Sequence, residues 1–204
     1  KPRYTLADLC KSFDKLDETM LRQCLAAHEE NVHLLAAPRV IEDVARIKPE
    51  GILRAIDLVR TMYANSIVEI DPLFGFEHQE CLKQADQLLI VLRLDMVSLF
   101  RCRKTLERLL RMVISASRIN LVVNRHGQPK ELPAAKAEQV LGVSMFHRLP
   151  DDASRINAAV NAGQPVIISQ PRSTVARSMR DLARAVQMLC REEQPVSGRS
   201  PFWP

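Results

Sequence analysis

Short apolar runs alternate along this chain with longer stretches whose apolar residues recur at helical spacing. The runs cover residues 32–36, 66–70, 88–92, 119–123, 144–147 and, least marked, 165–168. Between them, residues 50–63, 96–116, 134–141, 153–162 and 173–191 repeat apolar positions every three or four residues. Short continuous runs suit strands buried on both faces, and the longer amphipathic stretches suit helices laid over them. The alternation predicts an α/β fold with a mainly parallel sheet and helices on both faces. Ser173 can cap the last helix, and Asp151 or Asp152 the helix after Pro150, each offering an oxygen to otherwise unpaired amides.

The first thirty residues differ, with 6–13 and 18–28 reading as two short helices ahead of the first strand. A doubly wound sheet normally opens with a strand leading into a ligand-binding turn, whereas this sequence opens in what reads as a connection. The expectation is one α/β domain over residues 1–192, truncated at its N-terminus, followed by a flexible tail over 193–204. The three prolines and the Ser-Gly-Arg-Ser of that tail cannot continue a helix.

Hydrophobic residues make up 47% of the 204, enough for a sizeable core. No stretch approaches the roughly 18 consecutive apolar residues of a membrane span, and Lys1-Pro2-Arg3-Tyr4 has no signal-peptide character. Cys10, Cys24, Cys81, Cys102 and Cys190 are scattered without a C-x-x-C pair, so reduced thiols in a cytoplasm are the simplest account. The net charge of +5 is modest, with Arg101, Arg103, Lys104, Arg108, Arg111 and Arg118 concentrated in and just after one helix. Such a cluster can attract phosphate or an acidic partner, but Leu99, Leu106, Leu109, Leu110 and Val113 supply an opposing apolar stripe, which favours a solvated helix face. Aromatic residues, at 4%, are too sparse for a base-stacking surface. His28, His33, His78, His126 and His147 lack metal-ligand spacing, and no Gly-x-Ser-x-Gly elbow is present.

In an open parallel sheet, ligands bind beyond the carboxyl ends of the strands, where loops and helix N-termini converge. The residues just past the apolar runs are Glu69-Ile70-Asp71-Pro72, Arg93-Leu94-Asp95, Asn124-Arg125 and Leu149-Pro150-Asp151. Asp71, Asp95, Asn124 and Pro150 should therefore share one edge. A nucleotide cleft and a plain solvated rim both remain open on this pattern alone.

Ala85-Asp86 precedes the run 87–92, Leu94-Asp95 and Ser98-Leu99, and Ile119-Asn120-Leu121-Val122-Val123 ends in Asn124-Arg125. Glu138, Leu141-Gly142-Val143, Leu149-Pro150-Asp151-Asp152, Ala158, Gly163-Gln164-Pro165 and Leu182-Ala183 follow in order. This ordered series resembles the MinD/ParA class of P-loop ATPases. Upstream, Leu6-Ala7-Asp8-Leu9, Leu16-Asp17, His28, residues 32–38 and Pro49-Glu50 are similar to the CpaE/TadZ branch, which serves Flp pilus assembly. The likeness spans about residues 5–190.

The resemblance implies ATP and magnesium as cofactors, a homodimer, and pilus or other positioning proteins as partners. It also implies a cytoplasmic location, at a pole or peripherally at a membrane machine. Asn124 would read the adenine edge with a donor and an acceptor, with Arg125 packing on the ring and the turn Leu149, Pro150 and Asp151 supplying backbone groups. A purely structural turn role for Asn124 stays open. The Walker B carboxylate, which holds a magnesium-bound water, falls at Glu69 or Asp71. Relatives usually have Asp followed by an apolar residue and Pro or Ser, so Glu-Ile-Asp-Pro departs from the pattern. Gly51, Gly75, Gly127, Gly142, Gly163 and Gly198 stand alone and form no glycine-rich lysine loop. The resemblance places that loop and the switch I aspartate before the position of Lys1. An ATP-dependent positioning switch, a non-hydrolysing scaffold with a degenerate site, and an unrelated α/β enzyme binding another nucleotide are the three functions compatible with the sequence.

Overall fold

A computed structural model describes residues 2–11, 13–28, 31–70 and 76–192. The chain divides into two compact units, Lys1–Ala85 and Asp86–Pro204.

In the first unit, α1 (Leu6–Cys10) begins at a reciprocal cap. Asp8 N donates to Thr5 Oγ1, and Thr5 N donates back to Asp8 Oδ2 at 3.1 Å. Helix α2 (Glu18–Cys24) starts at Asp17, whose carboxylate accepts from Met20 N at 2.8 Å. The expected helix over 18–28 stops there, because Ala26–His28 forms β1, paired antiparallel with β2 (Val32–Leu34). Of the run 32–36, residues 32–34 thus belong to a local two-stranded pair with exposed side chains, and Ala36 makes only an isolated parallel bridge to Thr5. Strands so close in sequence pair at low loop-closure cost, which favours the local partner. Helix α3 (Pro49–Met62) starts with proline in its first turn, where no amide partner is lost. Leu9, Leu16, Leu21, Cys24, Ala55 and Leu58 form the core of this unit.

Residues 66–70 form no strand: no ladder bonds join them to another described segment, and Ile67 is 98% exposed. An apolar run becomes a strand only where a partner satisfies its amides and carbonyls. Helix α4 (Phe76–Gln84) closes the unit.

The second unit contains β3 (Leu88–Leu92), α5 (Met96–Arg111), β4 (Ile119–His126), α6 (Ala134–Leu141) and β5 (Met145–Pro150). Helices α7 (Ala153–Asn161), α8 (Val166–Ser169) and α9 (Thr174–Glu192) follow. The strands lie in the order β3-β4-β5, all parallel, with Leu88 opposite Ile119 and Leu92 opposite Val123. Strand β4 is central, so Leu121, Val122 and Val123 are fully buried and read as an unbroken apolar run.

Helix α5 buries Leu99, Cys102, Leu106 and Leu109, while Arg101, Arg103, Lys104 and Arg111 face solvent. The charge cluster is therefore largely a solvated face, with Glu107 taking both Arg103 and Lys104. Leu110 and Val113 are exposed, contrary to the expected stripe. The helix ends at Arg111 rather than continuing to 116, and Val113 sits beyond it at φ +61°. Helix α6 ends as expected at Gly142, whose φ of +70° suits a residue without Cβ. Asp152, not Asp151, caps α7, and Ser173 Oγ accepts from Ala176 N at the start of α9. Residues 165–168 were expected as a strand but turn into α8. Pro165 O there accepts from Ile168 N and Ser169 N, which an extended chain could not arrange.

Candidate functional site

Because the three strands are parallel, their carboxyl ends share one edge. Strand β3 leads to Arg93-Leu94-Asp95, β4 to Asn124-Arg125-His126, and β5 to Pro150-Asp151. At the first, Asp95 caps α5: Oδ1 accepts from Ser98 N at 2.8 Å, and Oδ2 lies 3.4 Å from Arg93 Nε. The Ser98 amide, foremost among these contacts, holds the Asp95 carboxyl below its usual range.

At the second, the β4–β5 ladder shifts register. Val123 faces Arg148 and the next pair is His126 with Pro150, so Asn124 and Arg125 together oppose the single residue Leu149. This is a bulge, and Arg125 adopts φ +56° within it. The consequence is positional, since Asn124 and Arg125 leave the buried ladder and become exposed at the rim, while Leu149 stays buried. Asn124 Oδ1 accepts from Arg125 N at 2.9 Å. That bond orients the amide group, leaving its two N–H donors and one oxygen lone pair for a ligand.

The loop after β4 joins all three strand ends. Asp151 N donates to His126 O at 2.8 Å, Gln128 Nε2 to Asp151 Oδ2 at 3.4 Å, and Leu132 N to Leu94 O at 2.8 Å. Glu131 Oε2 accepts from Gly127 N at 2.8 Å, and its Oε1 lies 2.9 Å from His126 Nδ1. A polar cleft of about 70 Å³ opens beside this loop, lined by Arg93, Asp95, Arg125, Gln128, Lys130 and Glu131 among others. A larger groove of about 420 Å³, walled by Ile156, Val160, Pro165, Val166 and Met179, is almost wholly apolar and includes no strand-end residue. Size alone favours the groove. Converging donors and acceptors favour the strand ends, and polar ligand chemistry needs them.

The structure thus brings Asn124, Arg125, Leu149, Pro150 and Asp151 to one edge, with Asp95 on the same edge. Glu69 lies exposed in the segment of the first unit that forms no strand, and Asp71 lies outside the described residues. The expected tail over 193–204 also lies outside them. Gln128 and Glu131 escaped the sequence reading, which stopped at Asn124-Arg125. Gly127, at φ +95°, was the available sign that a turn there needed support.

Asn124 is exposed, with amide donors available to a polar ligand. Among the described residues a phosphate chain finds no cradle: Gly127, Gly142 and Gly163 have positive φ, but each stands alone rather than in consecutive amides facing one point. Among the described residues, no group of three or more His, Cys, Asp or Glu side chains could hold a metal ion.

No protein-family model matches the chain, and no curated protein matches it. Among solved structures, it is similar to a ParA family ATPase from Chlorobium tepidum TLS, with a TM-score of 0.85 and 24% identity over 90% of this chain and 77% of that one. It has the ParA/MinD ATPase fold. The septum site-determining protein MinD from Pyrococcus horikoshii OT3, solved with Mg-ADP, aligns at a TM-score of 0.75 and 19% identity over 92% of this chain and 74% of that one. A MinC:MinD cell division complex from Aquifex aeolicus gives 0.72 and 15%, over 92% and 74%. Within this fold, the bulge at Asn124-Arg125 and the turn at Pro150-Asp151 are adjacent. No described helix is long and apolar enough to cross a membrane.

Proposed function

We propose that this chain is the main part of a MinD/ParA-type nucleotide-dependent positioning or assembly factor, spanning residues 1–192, that binds the base of ATP or ADP at Asn124. The observation that carries the reading is the joined rim. The bulge frees Asn124 from the ladder, and the Asp151 N to His126 O bond ties the neighbouring turn to it. Asn124 would donate to an adenine ring nitrogen and accept from the exocyclic amino group. Arg125 would pack on the ring, and the Leu149–Asp151 turn would offer backbone groups. Glu69 or Asp71 would hold a magnesium-bound water once phosphates are present, since magnesium takes few protein ligands and keeps several waters.

Sequence resemblance to the CpaE/TadZ branch supports a place in pilus assembly, with a homodimer and other machine components as partners. It supports a cytoplasmic site of action, polar or peripheral to a membrane. A second reading, a scaffold that keeps the fold without hydrolysis, is favoured by the exposed Glu69 in a segment that forms no strand.

The test is Asn124→Ala, with ATP and GTP affinities and melting temperature measured on the protein carrying its phosphate-binding loop. Losing hydrogen bonds to a partly buried base costs about 1–3 kcal/mol, or roughly five- to a hundredfold in affinity. ATP should lose more than GTP, because guanine presents an oxygen where adenine has its amino group. A lower melting temperature with an unchanged ATP/GTP ratio would leave Asn124 as a turn residue only.

A further inference from the structure

We infer that Glu131 is the positioning residue of this rim, holding the Asn124–Gly127 turn in the shape that presents the Asn124 amide to a purine edge. The inference rests on the base-binding reading above and adds a residue that contacts no ligand itself.

The turn is conformationally costly. Arg125, Gly127 and Lys130 have φ of +56°, +95° and +64°, and for the two residues with Cβ this left-handed region brings Cβ too close to the backbone carbonyl. Such a shape persists only where its surroundings fix it. One end is fixed by the Asp151 N to His126 O bond, and the other by the Leu132 N to Leu94 O bond. Between these anchors, the reversal at Gly127 has no β-ladder partner.

Glu131 fills that gap. Its Oε2 takes the Gly127 amide at 2.8 Å, while Oε1 lies 2.9 Å from His126 Nδ1 without the geometry of a hydrogen bond. The carboxylate is mostly shielded, at 21% exposure, which strengthens its hydrogen bond to Gly127 N relative to open water. Glu131 is itself placed by the Glu131 N to Gln128 O turn. Rotation of the Gly127 peptide would carry His126 and Arg125 with it. The Arg125 N–H that orients Asn124 Oδ1 would then lose its present direction. The chain of causes therefore runs from Glu131 through Gly127 and Arg125 to the Asn124 amide.

Glutamine is the informative replacement. Its carbonyl oxygen can still accept from Gly127 N, as the carboxylate does. Alanine cannot. The experiment compares ADP and GDP affinities for the wild-type chain, Glu131→Ala and Glu131→Gln. Amide NMR of Gly127 and of the Asn124 side chain, together with melting temperature, accompanies the binding data.

Glu131→Ala is expected to shift both amide resonances and to cut the preference for ADP over GDP by up to roughly tenfold, the effect of about one oriented hydrogen bond. Glu131→Gln should keep most of that preference and the Gly127 signal. An unchanged ADP/GDP ratio in Glu131→Ala overturns the inference, even if the melting temperature falls. If the wild type does not discriminate between the nucleotides, the base-binding reading fails, and the NMR arm still decides Glu131. A shifted Asn124 amide in Glu131→Ala supports the positioning role, and an unmoved one overturns it.

Discussion

Asp8 shows how much one carboxylate can do at the start of a short helix. It accepts from Thr5 N at the head of α1 and pairs with Lys11 Nζ at 2.7 Å. The Lys11 contact first, and the Thr5 hydroxyl next, hold its pKa at about 2, below the ordinary 3.8. A carboxyl depressed on folding stabilises the native state while it is ionised. Its contribution is complete above about pH 4, shrinks as pH falls through that value, and is gone below about pH 2. Urea unfolding near pH 5 and near pH 3 should therefore show a smaller drop in midpoint for Asp8→Asn than for wild type. Equal drops would mean that the contact persists unchanged in the unfolded chain. In the second unit, burial pushes the Cys102 thiol up to about 11, so it should stay unreactive toward mild alkylating agents while the fold is intact. Fast modification of Cys102 in the native protein would contradict its place in the α5 core.

At the scale of elements, Gly51 in α3 is the tightest contact. A Cβ at that position would stand 2.7 Å from Cys10 Sγ and 3.3 Å from Cys10 Cα, so the two helices could not keep their spacing. Gly51→Ala should lose about 1–3 kcal/mol to overpacking, despite alanine's higher helix propensity. Pairing it with Cys10→Ala should restore much of that loss, as chemical denaturation of the two variants can show. Elements of this kind differ in how far the sequence disclosed them. Strand β4 and helix α6 were legible because a buried central strand is apolar throughout and Gly142 marks a left-handed helix end. The run 165–168 misled, since four residues of mixed β-branched character suit a strand or one helical turn equally, and Pro165 can begin the latter. The runs at 32–36 and 66–70 misled for another reason: apolar composition does not say which partner satisfies the backbone. At the site, the strand-end rule located Asn124 and Pro150, whereas the bulge and Glu131 depend on a register shift that no composition reports.

For the molecule as a whole, the proposed site is a base edge that has no phosphate cradle among the described residues. Phosphoryl transfer requires backbone amides and a lysine around the β- and γ-phosphates, a magnesium ion, and an oriented water; charge stabilisation and positioning supply nearly all of the rate. In this 204-residue sequence the six glycines are isolated, and no glycine-rich lysine loop occurs. Glu69 is exposed, and among the described residues no group of three or more His, Cys, Asp or Glu side chains could hold a metal ion. The purified 204-residue chain should therefore show no ATP turnover above background with magnesium. It should still bind adenine nucleotides weakly through Asn124, and comparably for ATP and ADP, because recognition at the base edge does not sense the γ-phosphate. A turnover assay beside calorimetric titration of ATP, ADP and adenosine separates the possibilities. Turnover that Glu69→Gln with Asp71→Asn abolishes would place a working phosphate site on this chain. A strong preference for ATP over adenosine would do the same without hydrolysis, since only contacts beyond the base can distinguish the two.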